Sequence, residues 1–94
     1  MQVPLRSNSV QLQSGQIFVL GGMTNESNKM TALKDCLKIE NDLLTTAKPK
    51  MHSARFDTPL ALVYDRYILA LGGKTSKQHG TKRCEVFDTQ YEVW

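Results

Sequence analysis

Two stretches decide the fold: Gln16-Ile17-Phe18-Val19-Leu20-Gly21-Gly22 and, farther along, Arg66-Tyr67-Ile68-Leu69-Ala70-Leu71-Gly72-Gly73. Each is an apolar, β-prone run closed by a glycine pair, and Gly73 lies 51 positions after Gly22. Self-similarity at such a period marks a repeat architecture, in which one supersecondary unit cannot bury its apolar surface alone. Near-continuous apolarity in Ile17 to Leu20 and in Ile68 to Leu71 predicts strands covered on both faces, as in a sheet stacked between other sheets.

Working outward, a second strand candidate precedes each run, at residues 9–13 and 59–64. The polar breaks Ser14-Gly15 and Asp65-Arg66 separate the paired runs, which predicts antiparallel hairpins with Gly15 at positive φ. After Gly73 comes a polar loop, 74–82, and then alternation returns. Cys84, Val86 and Asp88 fall on one side and Glu85 and Phe87 on the other. Asp88-Thr89-Gln90 reads as a turn whose carboxylate caps the backbone. Residues 91–94 then open a fourth strand, so each period is expected to hold four.

The first period carries a competing signal. Met30, Leu33, Leu37, Glu40 and Leu44 are spaced by three or four, which fits an amphipathic helix over 29–44 and, with it, a small mixed α+β domain. Aligning the periods favours strand, because residues 36–42 fall under residues 84–90 and homologous repeats make the same unit.

Composition bounds what this β-rich chain can be. Its 94 residues, 40% hydrophobic with net charge +3, limit it to one small domain or a piece of a larger one. No stretch approaches the ~18 to 20 apolar residues of a membrane helix, and residues 1–15 lack a secretory pattern. An intracellular, cytoplasmic protein without membrane association is therefore expected. Cys36 and Cys84 are too far apart for a metal knuckle, and His52 and His79 complete no zinc spacing with them, so neither metal nor other cofactor is expected. Buried free thiols are the preferred reading over a single disulfide. Asn25-Glu26-Ser27 fits a glycosylation acceptor but carries no weight without a signal peptide.

Candidate sites are few. Leu71-Gly72-Gly73-Lys74-Thr75 imitates the end of a phosphate loop, yet Ile68 stands where the leading glycine belongs and no helix follows, so the phosphate cradle is missing. Lys74, Lys77, Lys82 and Arg83, with His79 among them, form one basic cluster. It lacks interleaved aromatics for stacking bases, which argues against nucleic acid. A solvated loop or a contact for an acidic protein partner is the remaining choice, and Lys77, His79, Lys82 and Arg83 are the candidate protein-binding residues. Asp57, Asp65 and His52 are scattered with no nucleophile beside them, so no catalytic constellation emerges.

These residues together resemble the kelch repeat: a hydrophobic strand ending in Gly-Gly, a variable loop, then an aromatic some residues before a Trp, and a new repeat beginning near an Arg. Gly72-Gly73, Phe87 followed by Asp88, and Trp94 match, as does 48–51 leading into Arg55; Pro4-Leu5-Arg6 leads similarly into the first copy. The likeness covers nearly the whole chain as two repeats, 1–49 and 50–94. The first is degenerate, with Ile39 where an aromatic is expected and Thr46 where Trp stands in the second. The resemblance implies an all-β fold, two four-stranded antiparallel blades of an incomplete kelch-type β-propeller. Gly21, Gly22, Gly72, Gly73, Phe87 and Trp94 would be structural.

Propellers hold ~4 to 8 blades, so the ring needs further blades from the same or another chain. By the same resemblance, loops 23–34, 74–82 and 47–54 share a face that binds proteins. This implies a non-catalytic interaction platform, as in a substrate adaptor or a cytoskeletal or ciliary scaffold. The alternative is part of a kelch-propeller enzyme, oxidase- or mutarotase-like, whose active site lies in other blades.

Overall fold

The computed structural model describes residues 4–40, 45–77 and 79–94. Among them there is no helix; every regular element is a strand. The strands in chain order are β1 (Asn8–Gln11), β2 (Ile17–Leu20), β3 (Met23–Glu26), β4 (Lys29–Ala32), β5 (Cys36–Ile39), β6 (Thr45–Ala47), β7 (Leu60–Val63), β8 (Tyr67–Leu71) and β9 (Cys84–Asp88). They form a four-stranded antiparallel sheet, β1-β2-β5-β6, a three-stranded one, β7-β8-β9, and the separate hairpin β3-β4.

The helical spacing over 29–44 yields to strand pairing within the described part of that segment. Thr31 and Lys29 are exposed while Ala32 is buried, an alternation of period two rather than 3.6. Leu44 lies outside the described residues. Segment 23–34, expected as a variable polar loop, instead folds back on itself. Ser27 and Asn28 take φ of 50° and 62°, the paired positive values of a two-residue hairpin turn whose twist suits antiparallel strands. The sheet of the second repeat holds three strands, not the four expected. Its fourth strand is reduced to one bridge, Asp88 with Val93, because Glu92 turns back at φ 56° one residue earlier.

The two main sheets superimpose in register. Leu20 pairs with Cys36 in the first, and Leu71 with Cys84 in the second, each at the step before the glycine pair. The equivalence extends to the entering chain: Leu5 bridges Met23 as Phe56 bridges Lys74, 51 residues on, and Arg6 and Asp57 both sit in the left-handed region. Ile17, paired with Ile39, corresponds to Ile68, paired with Phe87. Pro4 therefore occupies the place of Arg55, and Leu37 that of Glu85.

The core lies between the sheets. Phe18, Leu20 and Cys36 of the first meet Ile68, Ala70 and Phe87 of the second, with Leu12 and Met51 closing the edges. Phe18 and Phe87 approach at 5.6 Å between ring centroids in a tilted arrangement, and Phe87 and Trp94 at 4.9 Å, geometries that aromatic quadrupoles favour. Trp94 also donates its indole N–H to the Pro49 carbonyl at 2.7 Å, which pins the chain end to the segment joining the sheets.

The contact joins non-equivalent faces. The first sheet presents its Phe18/Leu20/Cys36 side, whose counterparts in the second are Leu69, Leu71 and Cys84. The second presents Ile68, Ala70 and Phe87, whose counterparts in the first are Ile17, Val19 and Ile39. Coverage on both faces therefore fails for β8: Ile68 and Ala70 are fully buried, whereas Leu71 is 39% exposed against 1% for Leu20. The cysteines split the same way. Both are free, Cys36 buried and Cys84 exposed, so only one meets the expectation of a buried thiol.

Candidate interaction face

The glycine pairs let several segments converge at one end of the sheets. A side chain on Gly22, which has φ 115°, would meet the Pro4 side chain at 2.6 Å and the Leu5 carbonyl at 2.9 Å. At Gly73, with φ 102°, the obstacle is Thr58 and the Phe56 carbonyl. Only glycine allows the entering chain to pass so close to the end of the central strand. Gly21 and Gly72 are likewise at positive φ, and the Gly21 N–H donates to the Asp35 carbonyl.

That passage brings three expected loops together. The connection from β6 to β7 is sewn to the β4–β5 link: the Met51 N–H donates to the Lys34 carbonyl and the Arg55 N–H to that of Leu33. The hairpin β3-β4 reaches loop 74–82 through the Ala32 N–H, which donates to the Ser76 hydroxyl at 2.7 Å. Phe56 and Lys74 exchange both backbone hydrogen bonds, at 2.8 and 2.9 Å.

Loop 74–82 is braced by its own backbone. Lys74 bridges Gly80, the Thr75 N–H donates to the His79 carbonyl, and the Thr81 N–H to that of Gly73. Hydroxyls of Thr75 and Thr81 accept from the N–H groups of Lys77 and Arg83. Lys77, His79, Lys82 and Arg83 are all exposed, the first two at the tip and the others where β9 begins. Among the described residues no carboxylate pairs with them. Lys74, by contrast, leans toward Asp57 at 3.9 Å, and Asp57 is held by a two-pronged pair with Arg6. A shallow cavity of about 520 Å³ opens on the same end, lined by Pro4, Leu5, Met23, Leu33 and polar residues of β3.

Beneath this face lies a group that composition alone does not reveal. Arg55, fully buried, donates to the carbonyls of Gly72 and Arg83 at 2.9 and 2.8 Å and to the Glu85 carboxylate at 2.7 Å. Glu85 also accepts the backbone N–H groups of His52 and Ser53. The pair ties the segment between the sheets to the strands of the second. The alternation of β9 places Glu85 on the inward side with Phe87, and that was its only signal in the sequence.

At the opposite end, Arg66 grips Asp88 with two hydrogen bonds and stacks against the rings of Tyr67 and Tyr91 at 4.9 and 5.1 Å. The Asp88 carboxylate also accepts from the backbone of Gln90 and Tyr91, the cap its turn demands. The Arg66 hydrogen bond comes first in holding Asp88 at about 2 and in raising the guanidinium's own value. Burial pushes the Cys36 thiol up to about 12, which leaves it protonated and inert. Among the described residues no three metal-ligating side chains gather, and no helix is long and apolar enough to cross a membrane.

No protein-family model matches the chain, and no curated protein matches it significantly.

Proposed function

We propose that this chain is a two-blade sector of a kelch-type β-propeller and serves as a non-catalytic protein-interaction platform in the cytoplasm. The observation that carries the reading is the gathering of the β3-β4 hairpin and of segments 47–54 and 74–82 at the glycine end, with a braced basic loop at its edge. Such a loop offers positive charge at reduced ordering cost, because its described residues are already tied by backbone hydrogen bonds. Lys77, His79, Lys82 and Arg83 are its recognition residues, and their chemistry selects an acidic segment of a partner protein.

Two further features support a propeller sector. The sheets repeat in register and pack by opposite faces, the geometry that radial stacking of blades requires. Aromatic Phe87 and Trp94 fill the space between them.

The test is affinity capture with the wild-type chain and with the Lys77→Glu/Lys82→Glu/Arg83→Glu variant, followed by binding of the enriched protein in purified form. The reading predicts a partner held by the wild type, released by salt, and lost in the variant. A partner that binds both equally places recognition elsewhere. Stoichiometric copper in the purified protein would instead favour the oxidase-like alternative.

A further inference from the structure

From the turn end of the second sheet, opposite the glycine pairs, we infer a second interaction surface: Tyr64, Tyr67 and Tyr91, set around Arg66, bind a proline-rich segment of a partner protein in polyproline II form. The surface is separate from the basic loop 74–82 and does not depend on the propeller reading. The chain's three tyrosines all stand at this end. Tyr64 is 89% exposed in the β7–β8 turn, and Tyr91 is 68% exposed in the turn that follows β9. The two turns are fastened together, because the Arg66 carbonyl accepts the Thr89 N–H at 3.0 Å and the Thr89 hydroxyl at 2.7 Å. Asp88 holds the Arg66 guanidinium by two hydrogen bonds against the rings of Tyr67 and Tyr91. These rings are thus positioned before a partner arrives, which lowers the ordering cost of binding.

The first repeat is an internal control. Gln13, Gly15 and Gln16 stand at the positions of Tyr64, Arg66 and Tyr67, so the same hairpin forms without an aromatic or a cation. There the Gly15 N–H donates to the Leu12 carbonyl as the Arg66 N–H donates to that of Val63, and the positive φ falls on Gly15, which has no side chain to resist it. Tyr64 and Asp65 instead both lie in the left-handed region, at 55° and 52°, which strains residues other than glycine. The scaffold does not require that strain, and strain of this kind gathers at ligand sites. A neighbouring sheet also leaves the place open. Gln13 has the second sheet beside it, with its N–H bonded to the Asp65 carboxylate, and it remains exposed. Further sheets stacked on either face would therefore not cover Tyr64.

Charge selects what the rings receive. With the Arg66 guanidinium against both, Tyr67 and Tyr91 already hold a cation, so an ammonium or a methylated lysine finds the place taken. A nucleic acid strand needs free positive charge along its phosphates, and Asp88 neutralises Arg66. What fits is a ligand that stacks on tyrosine and accepts hydrogen bonds from phenol hydroxyls. A polyproline II segment does both: its pyrrolidine rings pack on aromatic side chains, its carbonyls are not bonded within the helix, and it has little conformational entropy to lose. Asp65, beside Tyr64, has no cationic partner among the described residues, which suits a basic residue flanking the prolines.

The test titrates a peptide of about ten prolines with a terminal arginine into the isotope-labelled 94-residue chain and follows the tyrosine ring signals by NMR. Saturable shifts should appear at Tyr64, Tyr67 and Tyr91 and be absent from Lys77 and Lys82. Tyr91→Ala and Tyr64→Asn should each weaken binding about tenfold or more, the loss of an aromatic anchor. Asparagine suits the left-handed turn better than tyrosine, so Tyr64→Asn folds at least as well as the wild type while losing the ligand. A terminal glutamate in place of the arginine should bind several-fold more weakly, and Asp65→Asn should abolish that difference. The Lys77→Glu/Lys82→Glu/Arg83→Glu variant should bind the peptide like the wild type, which separates this surface from the basic loop. No saturable shift at the three rings, unchanged affinity in both tyrosine variants, or stacking of oligouridylate on these rings in preference to the peptide would each overturn the proposal. None of these outcomes touches loop recognition, which is read by the charge-reversal capture.

Discussion

Arg55→Met removes the buried guanidinium while keeping most of its stem, and the structure allows the cost to be bounded. Three hydrogen bonds disappear, to Gly72, Arg83 and Glu85, and Glu85 stays in a site where its side chain is only 7% exposed. It retains two backbone donors, His52 and Ser53, at 2.7 and 3.0 Å, but loses its counter-charge. Breaking one side of such a pair costs about 3 to 5 kcal/mol. A domain of this size is stable by only about 5 to 15 kcal/mol, so the loss is a large share of the whole. In a thermal melt it corresponds to roughly 12 to 40 °C, at about 4 to 8 °C per kcal/mol.

Trp94 is the single tryptophan and rests on Phe87 and Pro49, so urea unfolding followed by its fluorescence reports the same sheets. At the equivalent positions of the first repeat stand Pro4 and Leu37, neither of them charged. Arg55→Met/Glu85→Leu leaves no unpaired buried charge and should therefore lose about 1.5 to 3 kcal/mol less than the sum of the two single losses. A single-variant loss below about 1 kcal/mol, the scale of an exposed pair, would refute the burial argument. A double variant equal to the sum would refute the coupling.

Other outcomes follow from the same geometry. Gly22→Ala, placed against Pro4 and Leu5 at φ 115°, should destabilise by about 1 to 3 kcal/mol in the urea titration. Tyr64 and Asp65 adopt φ of 55° and 52° in the β7–β8 turn, so Tyr64→Asn with Asp65→Gly should stabilise by roughly 1 kcal/mol or more, with strand pairing unchanged by NMR. The folded value of Asp88, about 2, lies below its ordinary 3.8; its contribution is present above 3.8 and fades as pH falls through 2. Carboxyl NMR should place its midpoint there, and Arg66→Gln should move it upward. Cys36 should resist alkylation until the chain unfolds.

Much of the fold was legible in the order of residues. The duplicated runs and their glycine pairs gave the central strands, and the alignment of Cys36 with Cys84 located β5 against a helical periodicity. Local patterns suffice there because alternation and turn chemistry act over a few residues. The type of the 23–34 segment was not legible: Ser27 and Asn28 are not glycines, and their left-handed turn is imposed by the pairing of β3 with β4. The fourth strand of the second repeat failed for a comparable reason, since the tight turn capped by Asp88 leaves one bridge rather than a ladder.

The candidate face divides along the same line. The charges of Lys77, His79, Lys82 and Arg83 are a property of sequence alone, as is the period that sets equivalent residues 51 apart. Which loops stand beside them, which cysteine is sheltered, and that Leu71 and Val86 of the second sheet are exposed were decided only when the sheets docked. Burial depends on what lies across a face, and residues far apart in the chain supply it: Arg55 meets Glu85, and Leu20 is covered where Leu71 is not.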